Sequence, residues 1–196
     1  MADDLIAEAK AALEGSRPDE ARALIDRAYR EHPDDAEVRE IYTALHLARA
    51  IRLSARAREL RREDIVRREI PVDTEFEDSP DVAKAFDEAS AAIEEVLAAD
   101  PRHEKGLMMK ASLVFRRERG TGRAVAIQLL QSIAAANPSN RQVLYTIRKI
   151  EAPCKRCSDS GFCLRCGGRG SRRVLGMQTK CDVCHGQGIC LACGIL

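Results

Sequence analysis

Eight cysteines carry the chemistry of this chain, and all of them lie after Pro153. They form four Cys-x-x-Cys pairs, Cys154/Cys157, Cys163/Cys166, Cys181/Cys184 and Cys190/Cys193, separated by five, fourteen and five residues. A Cys-x-x-Cys knuckle presents two sulfurs on one side of the chain, and two knuckles complete a tetrahedral four-thiolate zinc site. Four knuckles therefore make two closed sites, with no ligand left over and no open position for water. Five residues are few for a chain that must leave one knuckle, reverse and offer another to the same ion. Nested pairing avoids this. Cys163, Cys166, Cys181 and Cys184 then hold one Zn2+, and Cys154, Cys157, Cys190 and Cys193 hold the other; adjacent pairing is the alternative. The excursion from Ser171 to Lys180 alternates Val174, Gly176 and Gln178 and reads as a β-hairpin.

Other chemistries compete for these residues. Cys181-Asp182-Val183-Cys184-His185 matches a haem-attachment pentapeptide, and iron–sulfur clusters usually show tighter cysteine spacing. Thiol–disulfide exchange is a secondary reading, because Arg165 and Lys180 depress the pKa of neighbouring thiols freed of metal. Lys155, Arg156, Arg165, Arg169, Arg172, Arg173 and Lys180 suit RNA or DNA phosphates, which makes nucleic acid the runner-up partner. Against it, Phe162 is the single aromatic residue of the tail and gives little stacking capacity, and the cations also offset the negative charge of two zinc–tetrathiolates.

Glycines sharpen the identity. Cys163-Leu-Arg-Cys166-Gly-Gly168-Arg-Gly170 and Cys181-Asp-Val-Cys184-His-Gly186-Gln-Gly188 share the frame Cys-x-x-Cys-x-Gly-x-Gly, in which glycine relieves the unusual dihedrals after a thiolate knuckle. Residues 154–194 resemble the cysteine-rich zinc domain of DnaJ-type co-chaperones, and the resemblance implies nested pairing and contact with a client polypeptide. The first motif departs from the frame at Cys157-Ser-Asp-Ser-Gly161, and the fourth ends at Cys193-Gly194-Ile-Leu196.

Composition divides the chain near Pro153. The segment 153–196 holds seven basic and two acidic residues, leaving 25 basic and 29 acidic in the remainder, and eight of the twelve glycines. The expected domains are 1–152, helical, and 153–196, zinc-binding. The acidic amino terminus and the lack of a long apolar run predict a cytoplasmic chain with no membrane partner, where paired cysteines read as metal ligands before disulfides.

Residues 3–31 read as a helical hairpin broken at Gly15-Ser16-Arg17-Pro18, with Ser16 or Arg17 near the cap of the second helix. Residues 36 to about 69 read as one long charged helix, its Arg52–Arg68 stretch a solvated, salt-bridged surface. A loop near 70–79, a helix from Pro80 to Ala98 and a last helix from Asn140 to Glu151 follow. His32-Pro33, Asp100-Pro101 and Asn137-Pro138 are related endings; the prolines lie 68 and 37 residues apart, and Arg119-Gly120-Thr121-Gly122 absorbs the excess over 34. Small residues (Ala21, Ala28, Ala89, Ala126) fall where paired helices approach, with Ile25, Ile93 and Leu130 between them. Residues 2–150 thereby resemble tetratricopeptide repeats, which implies a concave face that takes a peptide. Tyr42, Arg49, Lys110 and Arg148 are the candidate contacts. His32-Pro33-Asp34 is also similar to the loop by which J-domains engage their partner ATPase, but the mixed charge of the preceding helix favours a helix-pair boundary.

No Ser/His/Asp set, phosphate loop or paired carboxylate frame is recognisable, and His32, His46, His103 and His185 are dispersed. The expectation is a mainly α protein, a stack of antiparallel helical hairpins with a small β-hairpin zinc module. It is expected to be an interaction protein or co-chaperone-like adaptor with two Zn2+, and not an enzyme.

Overall fold

The computed structural model describes residues 2–71, 76–118 and 121–193. It is mainly α: α1 (Ala2–Glu14), α2 (Pro18–Glu31), α3 (Ala36–Arg67), α4 (Pro80–Ala99), α5 (Glu104–Arg117), α6 (Gly122–Ala136) and α7 (Arg141–Ile150) precede a C-terminal segment with one short hairpin, β1 (Ser171–Val174) and β2 (Met177–Lys180). The acidic stretch at 73–75, Arg119-Gly120 and the final Gly194–Leu196 lie outside the described residues. Among the described residues, no helix is long and apolar enough to cross a membrane.

One turn is used three times. The residues before Pro33, Pro101 and Pro138 are the C-caps His32, Asp100 and Asn137, with φ of −137°, −139° and −135°. Proline forces its predecessor out of the helical region, and each helix stops there. Three residues later the next helix is N-capped by a side chain. Asp35 Oδ1 accepts from the Glu37 and Val38 amides at 2.9 and 3.0 Å, His103 Nδ1 from Gly106 at 3.0 Å and Asn140 Oδ1 from Val143 at 3.0 Å. His32-Pro33-Asp34 is thus the α2–α3 member of this set. At α2 the cap is Arg17, whose side chain makes no capping bond and reaches Glu20 instead, at 2.7 Å; Pro18 at the first turn supplies the start.

α3 is the spine. Its 32 residues span about 48 Å. The amino-terminal part closes a cluster of Leu5, Ile6, Ala9, Ala21, Ile25 and Ala28 through Val38. The carboxy-terminal part sets Ala50 and Ala57 against Phe86, Ala89 and Ile93 of α4. A third cluster joins α5, α6 and α7 through Phe115, Ala126, Leu130, Val143 and Ile150. The alanines expected at close approaches are all fully buried. Where the first two clusters meet, α3 carries buried His46, with Nε2 2.7 Å from Asp26 of α2 and Nδ1 2.5 Å from Glu95 of α4.

The arginine-rich stretch of α3 is only partly a solvated surface. Arg56, Arg62, Arg67 and Arg68 pair with Glu63, Glu59 and Asp64 as expected. Arg61 does not fit that expectation, because it is buried. Its guanidinium stacks 4.1 Å from the Phe86 ring centroid, grips both Asp78 oxygens and donates to the Arg116 carbonyl at 2.5 Å. One residue in this stretch therefore ties α3 to α5 and to the entry of α4.

Phe86 is fully buried at the centre of the α3–α4 cluster. Phe86→Ala should lower stability by about 3–5 kcal/mol in urea unfolding, whereas Tyr145→Ala, at a residue 61% exposed, should change it by about 0.5 kcal/mol or less.

Candidate metal centre

The C-terminal segment folds back on itself as a set of nested layers. Its centre is the β1–β2 hairpin, in which Val174 faces Met177 across Leu175-Gly176. Both turn residues have positive φ, 50° and 82°, the twist a two-residue hairpin demands. Outside it, Cys181 donates its amide to the Gly170 carbonyl at 2.8 Å. Further out, Gly161–Cys163 runs antiparallel to Gly188–Cys190: the Cys163 amide reaches Gly188 O at 2.9 Å and the Cys190 amide reaches Gly161 O at 2.8 Å.

This ladder brings the sulfurs together in the nested order. Cys163, Cys166, Cys181 and Cys184 form one cage, and Cys154, Cys157, Cys190 and Cys193 the other; within each, all four sulfurs lie within 4.8 Å of one another. Four ligands at about 2.3 Å around a tetrahedral zinc have sulfurs about 3.8 Å apart. The cross-knuckle separations are 4.0 Å for Cys163–Cys181, 3.7 Å for Cys166–Cys184, 3.9 Å for Cys154–Cys190 and 3.1 Å for Cys157–Cys193. All exceed the about 2.05 Å of a disulfide, and all eight cysteines are free thiols. Two separate four-sulfur cages fit two zinc ions. The haem reading does not fit, since Cys181 and Cys184 are buried in a sulfur cage and His185 points outward as an exposed residue.

The glycines have a reason beyond dihedral freedom. The Gly170 and Gly188 amides each donate to a sulfur of the preceding knuckle, Cys166 and Cys184, at 3.3 Å, which stabilises thiolate charge. The two motifs also press together. A Cβ on Gly170 would stand 2.3 Å from the Gly186 carbonyl oxygen, and one on Gly188 would stand 2.3 Å from that of Gly168. The first motif keeps the same backbone without the middle glycine: Ser158, Asp159 and Gly161 have φ of 48°, 64° and 77°. Asp159 is put to use there. Its Oδ1 accepts the Cys154 amide at 2.8 Å, and its Oδ2 pairs with Arg123 of α6.

Electrostatics argue that the cages need a cation. A hydrogen bond from Cys193 lowers the Cys157 thiol to about 5, while the same contact and burial push Cys193 up. In the other cage, against the effect of burial, the Cys184 and Val183 amides lower Cys181, while burial raises Cys163 and pushes Cys166 up to about 12. Each cage holds a first thiolate at little cost and resists the next. A divalent cation at the centre reverses that, because it pairs with every sulfur at once.

Three arginines on the helices hold the segment in place, and sequence patterning does not mark them. Arg62 of α3 donates to Gly168 O at 3.2 Å, Arg116 of α5 donates to Cys193 O, and Arg123 bridges Ile150 O at the end of α7 to Asp159. Ile65 of α3 packs on Phe162. The detectable signal is Asp159, an acid standing where the repeated motif has glycine.

Of the four residues expected on a concave face, three make contacts within the chain. Tyr42 stacks between Tyr29 and His46, at 4.2 and 4.1 Å, and burial with nearby Glu95 and Asp26 raises its phenol to about 12. Arg49 pairs with Glu95 and Lys110 with Glu94, and Arg148 is exposed. A groove of about 710 Å³ lies elsewhere. α5 gives it Met108, Met109 and Phe115, α7 gives Tyr145, Lys149 and Ile150, and the outer knuckle gives Leu191–Cys193.

Metal analysis of the purified full chain should give two zinc per molecule, falling to one in Cys163→Ser or Cys154→Ser. Chelation should leave most of the helical circular dichroism, because the three helical clusters contain no residue of the C-terminal segment. Gly188→Ala should weaken one of the two ions by about tenfold or more in a chelator competition. Gly176→Ala, which has a positive φ but nothing within 4 Å of its Cβ, should cost about 1 kcal/mol and keep both ions.

No family model, no curated protein and no solved structure matches this chain.

Proposed function

We propose that this chain is a zinc-bearing adaptor that receives a polypeptide partner in the groove between its helices and its outer zinc site. The helical part resembles tetratricopeptide repeats, a likeness supported by the thrice-used proline turn and by the buried alanines at helix contacts. The C-terminal segment resembles the DnaJ-type zinc domain, supported by nested cages built from Cys-x-x-Cys-x-Gly-x-Gly. In this reading the two zinc ions are structural: they fold a segment with almost no apolar core of its own and so build one wall of the groove.

The groove is the observation that carries the proposal. Its apolar wall of Met108, Met109, Phe115, Leu130 and Tyr145 is roomy enough for several side chains and adaptable because of its methionines. Its exposed charges are Lys105, Lys149 and Glu104; Glu104 is held by Asn137 and Asn140, and Lys149 lies 5.2 Å from the Tyr145 ring centroid. An apolar segment bearing carboxylates complements such a surface.

Nucleic acid fits less well. Six of the seven C-terminal cations are exposed, yet Phe162, the one aromatic ring beside them, is buried and packed on Ile65, which removes the stacking platform that single strands use. Thiol–disulfide exchange is disfavoured by access, since seven of the eight cysteines are buried.

A photo-crosslinking side chain in place of Tyr145 tests the reading in the cell of origin. Adducts should be polypeptide, sensitive to protease and reduced several-fold by adding Met108→Glu. Adducts that disappear with nuclease instead, or that ignore Met108→Glu, would refute the groove as a polypeptide site.

A further inference from the structure

Along α5 the groove opens into a smaller recess of about 280 Å³, shared with α3. Lys105, Met109 and Ser112 line both, and the recess adds Ile51, Ser54, Arg58, Leu113 and Arg116. Its chemistry differs from that of the rest of the surface. Arg58, Arg116, Lys105, Ser54 and Ser112 line it, and no carboxylate does.

Two arginines of α3 make no ion pair among the described residues, Arg58 and the exposed Arg52. Arg49, Arg56, Arg61, Arg62, Arg67 and Arg68 of α3 or its cap each lie within 4.0 Å of an acid. Arg58 instead makes one bond, to the Ser54 carbonyl at 3.2 Å. Burial, with the neighbouring Arg116 charge, holds its pKa below the usual arginine value. Among the described residues Lys105 likewise has no acid partner, and the Ser54 hydroxyl has no hydrogen-bond partner. Three cationic residues border the recess and no acid lines it, so the local potential favours an anion. A guanidinium fork, an ammonium and hydroxyls are the donors that an oxyanion accepts.

We infer that this recess is an anion-binding subsite, in which Arg58 and Lys105 take a carboxylate of an acidic, partly apolar polypeptide whose neighbouring side chains occupy the larger groove. The identification of the ligand as polypeptide rests on the function proposed above; the anion subsite rests on the recess itself. Ile51, Met109 and Leu113 receive the methylenes that precede the carboxylate. Arg116, which also donates to Cys193 O, places the bound anion next to the contact that joins α5 to the outer metal cage.

Two measurements on the zinc-loaded full chain separate these claims. In the first, acetate is titrated while the Arg58 side-chain Nε–H resonance is followed by NMR, with chloride at equal ionic strength as control. A saturable shift specific to acetate is expected, weakened in Lys105→Gln; equal shifts with chloride overturn the subsite. In the second, fluorescence anisotropy compares a labelled peptide with alternating leucine and glutamate against its leucine–glutamine twin. The glutamate peptide should bind about tenfold tighter, and Arg58→Gln should erase that difference while leaving the glutamine peptide unchanged. Equal binding of the two peptides overturns the inference and leaves the groove reading standing. Failure of both peptides with the acetate shift intact overturns the polypeptide reading and upholds the anion subsite. Arg58 contributes one exposed backbone contact, so unfolding midpoints of Arg58→Gln should match the parent.

Discussion

Four sulfurs within 4.8 Å of one another repel once more than one of them is ionised, and the C-terminal segment has almost nothing with which to offset that repulsion. Its buried apolar contact with the helices is Phe162 on Ile65, and the hairpin strands are almost entirely exposed. A cation in each cage removes that repulsion. The segment's other features fit the same cages. Glycines let two knuckles meet backbone to backbone, amides aim at sulfur, and a short ladder from Gly161–Cys163 to Gly188–Cys190 fixes the two cages relative to each other.

The helices supply what the segment lacks. Arg62, Arg116 and Arg123 each donate to a backbone carbonyl at or beside the module, from three different helices. Carbonyls near a closed end of a knuckle have few partners of their own, and a guanidinium satisfies them at long reach while keeping positive potential near the thiolates. Arg61 sits behind this arrangement: buried over Phe86, it holds Asp78 and the Arg116 carbonyl together. Zinc module and helical array are thus connected through charged side chains more than through apolar packing, so the faces between them stay partly open. The groove occupies one of those openings.

Much of this was legible in the residue pattern because it is local or is written in spacing. Three X-Pro boundaries fixed the ends of α2, α4 and α6, since the steric rule acts between neighbours. The 5–14–5 spacing favoured nesting because a five-residue loop is short, and the sulfur cages have that order. The break at Gly15–Pro18 and the hairpin around Gly176 are likewise read from adjacent residues. The Arg52–Arg68 stretch was legible only as an average. Charge interleaving describes Arg56, Arg62, Arg67 and Arg68, but nothing in it separates Arg61, which is buried, or Arg58, which pairs with no acid among the described residues.

What the amino-acid order determined by itself is where helices stop, which alanines meet, and which cysteines can share an ion. These depend on bond geometry, helical period and chain length. Tertiary structure alone decided which arginines become internal fasteners, why Asp159 replaces a glycine, and where an apolar groove opens beside Lys105 and Lys149. The physical reason is that an arginine's role is set by what lies within about 7 Å of its Cα at the end of a flexible side chain. That neighbourhood is assembled from helices distant in sequence. Tyr42, Arg49 and Lys110 make the same point: each looked available on its own helix, and each is held by a residue of another.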